Sequence, residues 1–194
     1  EQQTGIIAIS VIDDLIGNPD VSEGLLLMDQ QQKLDAQLDV SQTANVFSYE
    51  SNDWNASISV SRQLPRKTAL VHSFLNIQPE ILMAHYELSF LVELARTKSL
   101  QFSLPESTPV EISVRGLDGV AVKETSSSVV DGRRVWSVDL SERRQGVVGF
   151  AADFSDKIAT ENNTLELPLV RAEQVDYQSG TVSVEGHPEL DTQV

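Results

Sequence analysis

Apolar residues alternate with polar or small residues through the middle of the chain, and seven of them are spaced strictly two apart. A period of two places alternate side chains on opposite faces of a β-strand, whereas a helix would scatter them around its axis. The pattern therefore predicts a long strand with one face on a hydrophobic core. The seven residues are Leu82, Ala84, Tyr86, Leu88, Phe90, Val92 and Leu94.

A second strand is predicted just before this one. Residues 76–80 between the two are turn-prone, because Pro79 has no backbone N–H and cannot continue a sheet ladder. Centring a hairpin on Gln78 and Pro79 brings the apolar faces of both strands to the same side, which supports that register. In it, Leu75 lies opposite Leu82, Ser73 opposite Ala84 and Val71 opposite Tyr86.

Further short alternations follow at the spacing typical of a β-sandwich. Asp118-Gly119 and Asp131-Gly132 separate extended segments, where a tight hairpin turn needs residues that tolerate a positive φ. Only residues 30–38 have a helical pattern, with two leucines four apart and no β-branched residue. We therefore expect an all-β fold, an antiparallel β-sandwich with one short helix. A β-barrel is the alternative.

We expect two regions along the chain. Residues 1–40 hold an N-terminal strand, an acidic loop and the short helix, and are a candidate module junction, while residues 41–194 hold the β-sandwich domain. Residues 3–9 and 178–184 share a glycine followed by alternating residues, which is either a coincidence or the sign of a repeat. In the second case, residues 179–194 are the first strand of a following repeat. The start at Glu1 rather than Met favours a segment of a larger protein.

The charge of the chain argues against some partners. The net charge is −15, and the acids are concentrated at the ends: residues 1–61 hold ten acids and one base, and residues 172–194 hold five acids and no base. Such a surface repels phosphate groups, so we expect neither nucleic acid nor an anionic membrane as a partner. No apolar run approaches the roughly 20 residues of a membrane span. There is no cysteine for a disulfide or a thiolate metal site.

Two of the three histidines are candidate ligands of a transition metal. In the register above, His72 and His85 are direct cross-strand neighbours on the face away from the core, with Glu87 as a possible third ligand. The alternative is an ordinary pair of histidines on a sheet surface, because no neighbouring residue is predicted to fix their tautomers.

Acidic and amide residues near the N-terminus form a candidate calcium site. Calcium takes about six to eight oxygen ligands, which oxygen-rich loops supply. The spacing does not match an EF-hand loop, and a solvated turn is the alternative. At a junction between acidic modules, a cation would also relieve repulsion. The residues are Asp13, Asp14, Asn18, Asp20 and Glu23.

No catalytic residues are predicted, and we expect no enzymatic activity. The sequence contains no Walker loop, no G-x-G-x-x-G, no G-x-S-x-G and no H-E-x-x-H motif. Trp54, which lies among asparagines and an aspartate, is the best candidate for an exposed aromatic ring that could stack on a carbohydrate.

Several short patterns follow one another along the chain: Thr4-Gly5 with its alternating strand, Glu23-Gly24-Leu25 to Asp29, Phe47-Ser48-Tyr49, the paired strands around Pro79, residues 100–105, Trp136-Ser137-Val138 and Gln178-Ser179-Gly180. Together they resemble a module of large, uncharacterised exported proteins of planctomycetes and similar envelope-rich bacteria. The resemblance implies an extracytoplasmic β-rich repeat unit, in the periplasm or at the cell surface. We therefore expect a non-catalytic structural or protein-interaction module that contacts neighbouring modules or envelope proteins. A carbohydrate-binding module, or an accessory domain of a glycan-active enzyme, is the alternative.

Overall fold

The computed structural model describes residues 3–11, 14–21, 24–38, 45–158 and 164–188. These residues form twelve β-strands and one short α-helix, which confirms the predicted all-β class. The sheets of the described residues do not close into a barrel. The chain divides into two compact units, Glu1–Leu64 and Pro65–Val194.

The first unit contains two small sheets and the helix. β1 and β3 both pair with β4, while β2 and β5 form a separate pair among the described residues. β4 and β5, which we assigned to the sandwich domain, thus pair with strands of the N-terminal region, and the unit extends to Leu64. The elements are β1 (Gly5–Ile9), β2 (Leu15–Val21), β3 (Leu26–Leu27), α1 (Gln30–Asp35), β4 (Asn45–Tyr49) and β5 (Ala56–Arg62).

A capping box starts the helix α1. The Asp29 side chain accepts a hydrogen bond from the Gln32 backbone N–H, and the Gln32 side chain accepts one from the Asp29 N–H, each at 2.8 Å. Two N–H groups that lack helical partners are satisfied in this way. The helix ends at Asp35, earlier than the predicted Leu38, and Gln37 follows with a φ of 57°.

The second unit is built on one seven-stranded sheet. Its strand order is β12-β6-β7-β10-β8, with β11 added to β7 and β9 added to β10. Neighbouring pairs are antiparallel except β12 and β6, which run parallel. Residues 178–184, which share a pattern with residues 3–9, thus belong to this sheet. The strands are β6 (Arg66–Ile77), β7 (Ile81–Pro105), β8 (Ser113–Gly116), β9 (Val122–Val130), β10 (Arg133–Lys157), β11 (Arg171–Glu173) and β12 (Tyr177–Gly186).

The two longest strands bend, so that the sheet folds over its own core. The register between β7 and β10 shifts near the middle of both strands, where Leu94 and Gly146 have positive φ values. Beyond this point β7 leaves β6 and pairs with β11. Phe102 in one half and Phe150 in the other bring their ring centroids to 5.4 Å across the core. This packing of two halves is the predicted sandwich.

The predicted alternation of buried and exposed residues is interrupted at the bend. Six of the seven apolar residues are buried, but Leu94 is 54% exposed, because its positive φ turns its side chain out of the series. Burial then continues at Ala95 and Thr97 before returning to the even positions at Leu100. A β-bulge of this kind inserts a residue and changes the phase of the strand.

The hairpin between β6 and β7 keeps the predicted faces but not the predicted register. The Gln78 N–H donates to the Ile81 carbonyl at 2.9 Å, so the turn is centred one residue later than we placed it. Moving the centre by one residue shifts every pair by two, which leaves each side chain on its face. Ile77 lies opposite Leu82, Leu75 opposite Ala84 and Ser73 opposite Tyr86.

Candidate functional site

The side chains of the second unit's sheet that point away from the core form a mixed polar and apolar surface. Because alternate residues face opposite sides, the register assigns positions across four strands to this surface, which we call the outer face. The outer face consists of Leu70, His72, Phe74 and Asn76 on β6, Met83, His85, Glu87 and Leu91 on β7, Val147, Asp153 and Ser155 on β10, and Thr181, Ser183 and Glu185 on β12.

His85 lies at the centre of the outer face and is held from both sides. Its Nδ1 is 2.5 Å from Oδ1 of Asp153, its partner residue on β10. Because a carboxylate only accepts, Nδ1 carries the proton, and the neutral ring then has its lone pair on Nε2. This Nε2 lies 3.5 Å from Oε1 of Glu87. Arg115 is close to the other oxygen of Asp153, with Nε to Oδ2 at 3.9 Å.

His72 is also held through Nδ1, by the Thr181 hydroxyl at 2.9 Å. The prediction that His72 and His85 face each other directly is wrong, because of the two-residue shift. His72 is opposite Glu87, and His85 is opposite Phe74. The two histidines are therefore diagonal neighbours, a separation that long side chains still bridge. The expectation that nothing fixes their tautomers is wrong for His85, because the Asp153 carboxylate only accepts, whereas the Thr181 hydroxyl can either donate to His72 or accept from it.

A groove of about 480 Å³ crosses the outer face. Phe74 and Met83 give it exposed apolar surface, and both are about half exposed. Asn76 and Glu185 line it with a hydrogen bond from Asn76 Nδ2 to Glu185 Oε2 at 3.1 Å. Apolar walls with a few fixed polar groups are typical of small-molecule sites. The groove can thus take a ligand that has both apolar and hydrogen-bonding surface.

The acidic stretch near the N-terminus is a strand where we predicted a loop. Asn18 and Asp20 lie in β2, opposite Ser59 and Ser57 of β5. An extended strand spaces its oxygens along a line, whereas a calcium loop wraps them around the ion. Asp14 lies just before the strand with a φ of 72°. Asp13 and Glu23 lie outside the described residues, so calcium binding here stays a prediction.

As the side chains are placed, no group of three or more His, Asp or Glu residues in the described ranges is close enough together to hold a metal. His72 and His85 therefore do not form a complete metal site with Glu87 in this arrangement.

Trp54 lies in the segment between β4 and β5 and is 40% exposed. Its ring centroid is 5.9 Å from that of Tyr49, with the two planes tilted by 39°. The other tryptophan, Trp136, is buried in the core of the second unit and stacks on Phe102. Trp54 is thus the more accessible of the two indole rings.

Two polar side chains of the second unit, the buried Tyr86 and the partly exposed Arg133, bind backbone carbonyls. The Tyr86 hydroxyl donates to the Pro168 carbonyl at 2.6 Å, and burial raises the pKa of this phenol. The Arg133 guanidinium donates to the carbonyls of Ser103 and Leu169, at 3.0 and 2.9 Å. Desolvation, followed by the nearby charge of Arg171, lowers the pKa of Arg133. These groups tie strands together and do not face the groove.

Asp153, Thr181 and Phe74 are the site residues that sequence reasoning missed. Asp153 falls between the inward positions Ala152 and Phe154, so alternation alone could have placed it on the outer face. Its contact with His85 depends on which strand β10 pairs with, and no local pattern contains that information.

Comparison of the sequence with protein-family models and with curated proteins finds no match. None of the helices in the described part of the chain has the length and apolar character needed to cross a membrane.

Proposed function

We propose that the chain is a non-catalytic protein-interaction module of a larger extracytoplasmic bacterial protein, and that its first unit is the part that associates with neighbouring modules. The observation that carries this proposal is the apolar surface of the first unit. The extracytoplasmic location is supported by the resemblance of its short patterns to exported envelope modules.

Two strands of the first unit, β3 and β5, leave large apolar side chains exposed. Leu26 and Leu27 point to opposite faces of β3, yet they are 66% and 65% exposed. Ile58 and Val60 lie on one face of β5 and are also exposed. Among the described residues β5 pairs with β2 and no other strand, and a two-stranded ribbon is marginally stable in water unless something packs against it. Exposed apolar surface of this kind supports an interaction role.

The test uses the full chain and the segments that flank it in the parent protein. We expect sedimentation velocity to detect a complex between them. Leu26→Thr with Leu27→Thr keeps the β-propensity of β3 but removes its apolar surface, and should weaken the complex at least about 10-fold. The matched control is Val129→Thr on β9 of the second unit, which should bind like the unchanged chain. If the flanking segments do not bind, or if both variants bind equally well, the proposal is wrong.

Carbohydrate binding is the second candidate function, and the exposed Trp54 beside Tyr49 favours it. An accessible indole ring next to a second aromatic ring offers a face on which a sugar ring can stack. Titration with soluble oligosaccharides should then change the tryptophan fluorescence, and Trp54→Ala should abolish the change because Trp136 is buried. A flat titration of the unchanged chain would exclude the oligosaccharides used.

A further inference from the structure

We propose that the outer face binds a divalent transition metal of the zinc or nickel class through His72, His85 and Glu87. The interaction role proposed above does not require this site. Three features of these side chains support it: the orientation of the two imidazole rings, the distance between His85 and Glu87, and the surrounding charge.

The orientation of the rings directs both Nε2 atoms toward the same strip of the sheet. The two nitrogens of an imidazole point in nearly opposite directions. Asp153 contacts Nδ1 of His85 from the β10 side, and Nε2 of His85 lies beside Glu87, the residue opposite His72. Thr181 contacts Nδ1 of His72 from the β12 side, which leaves Nε2 of His72 on the side of β7. Metal-binding histidines commonly have the arrangement of His85, in which a carboxylate fixes one nitrogen and the metal takes the other, and a hydroxyl acceptor at Thr181 allows it at His72.

The distance between His85 and Glu87 suits a shared metal better than a hydrogen bond. Nε2 and Oε1 are 3.5 Å apart, which is long for a hydrogen bond between nitrogen and oxygen. Two ligands that each lie about 2.0–2.2 Å from a tetrahedral zinc ion are roughly 3.3–3.6 Å from each other. The distance between Nε2 of His85 and Oε1 of Glu87 is therefore already that of two ligands of one metal. Glu87 is also the cross-strand partner of His72, which makes His72 the candidate third ligand.

The third ligand requires a small adjustment. The described His, Asp and Glu side chains do not yet bring three donors to one point, so His72 and Glu87 must close on the ion. Both side chains are partly exposed. Asp153 and Glu185 add negative charge to the outer face, which attracts a cation. Arg115 lies near Asp153 and offsets part of this charge. Two nitrogens and one oxygen leave a fourth position for water, as zinc accepts.

The experiment follows the ring resonances of the three histidines by NMR while Zn²⁺ is added to the full chain without chelators. We expect the signals of His72 and His85 to shift together and saturate at one equivalent, while those of His187 stay in place. Because this measurement needs no variant, it does not depend on the folding of any mutant. Shifts of all three histidines alike, or of none, would overturn the proposal.

Variants then test the ligands by calorimetric titration with Zn²⁺ and with Ni²⁺. His72→Ala, His85→Ala and Glu87→Gln should each weaken binding at least about 10-fold. His187→Ala is the matched control and should bind like the unchanged chain, and circular dichroism verifies that each variant folds. If His187→Ala weakens binding as much as His85→Ala, the ion binds elsewhere and the assignment is wrong. Equal affinity of all variants for the ion would also show that the assignment is wrong.

Discussion

The two units of the chain differ in how many of their apolar side chains they bury. Among the described residues, the first unit buries four of them, Leu25, Met28, Val46 and Phe47, and exposes nine large ones. The second unit buries twenty-two and exposes thirteen large ones. Small domains are marginal because they bury a smaller fraction of their surface. The second unit therefore has the larger hydrophobic core among the described residues, and the first unit has few buried side chains to stabilise its fold.

The largest difference between the units is expected when one core residue in each of them is truncated. Phe102→Ala removes a fully buried ring that stacks on Trp136 and touches Phe150, and should lower the free energy of unfolding of the second unit by about 3–5 kcal/mol. Phe47→Ala in the first unit should cost less, because fewer buried neighbours surround it. Urea unfolding followed by NMR signals from each unit measures both. Equal losses would contradict the comparison.

A smaller effect should distinguish the units at high pH. The pKa of Tyr86 is raised by burial, so above its ordinary value of 10.0 the unfolded chain loses this proton and the folded chain keeps it. The contribution of Tyr86 to the stability of the second unit should therefore be fully present below pH 10 and decrease as the pH rises further. Tyr86→Phe should remove this Tyr86 contribution to the loss. It should also cost about 1–2 kcal/mol at neutral pH, because the Pro168 carbonyl loses its donor.

Measuring unfolding at pH 7 and above pH 10 for Tyr86→Phe and the unchanged chain separates the two effects. The same pH dependence in both proteins would show that Tyr86 does not cause it.

The capping box of α1 offers a probe of the first unit alone. Asp29→Ala leaves the Gln32 N–H without its side-chain acceptor, and should cost about 1 kcal/mol of stability in the first unit. The denaturation midpoint of the second unit, followed by its own NMR signals, should not change. Asp29→Asn, which removes the charge but keeps an oxygen acceptor at the cap, serves as the comparison for the loss of one charge. Coupled losses in both units would mean that they unfold together.

The smallest effect is expected from the ion pair between Arg66 and Glu93. Nη2 and Oε2 are 2.7 Å apart, but the side chains are 56% and 38% exposed, so solvent screens their attraction. Glu93→Gln should change the stability of the second unit less than any of the variants above, and added salt should reduce even that difference. Thermal unfolding at low and high salt measures it.

The fold class could be predicted from the sequence because alternation is local. The series from Leu82 to Val92 specifies one buried face without reference to any other strand. Both Asp-Gly pairs have positive φ at each residue, as tight turns require. The end of the series at Leu94 could not be predicted, because leucine there continues the pattern and only the bend in β7 and β10 turns it outward.

The candidate site could be predicted only in part, because register is a property of two strands. Pro79 indicated a turn but not its centre, and one residue of error exchanged the partners of His72 and His85. Asp153 and Thr181 reach the histidines from strands far away in sequence. Asn18 and Asp20 surround a proline that suggested a loop, yet β2 pairs with one strand only, and an edge strand tolerates proline.

The parallel pairing of β6 with β12 determines how the second unit would respond to mechanical force. β6 is its first strand and β12 its last described strand, and the ten residues of β12 all pair with β6. Tension applied at Arg66 and Gly186 would pull the two strands in opposite directions along their axes. Their hydrogen bonds would then be stretched in shear, all at once, whereas an antiparallel terminal pair would open one bond at a time. Such a unit resists pulling best along the direction in which its own chain enters and leaves.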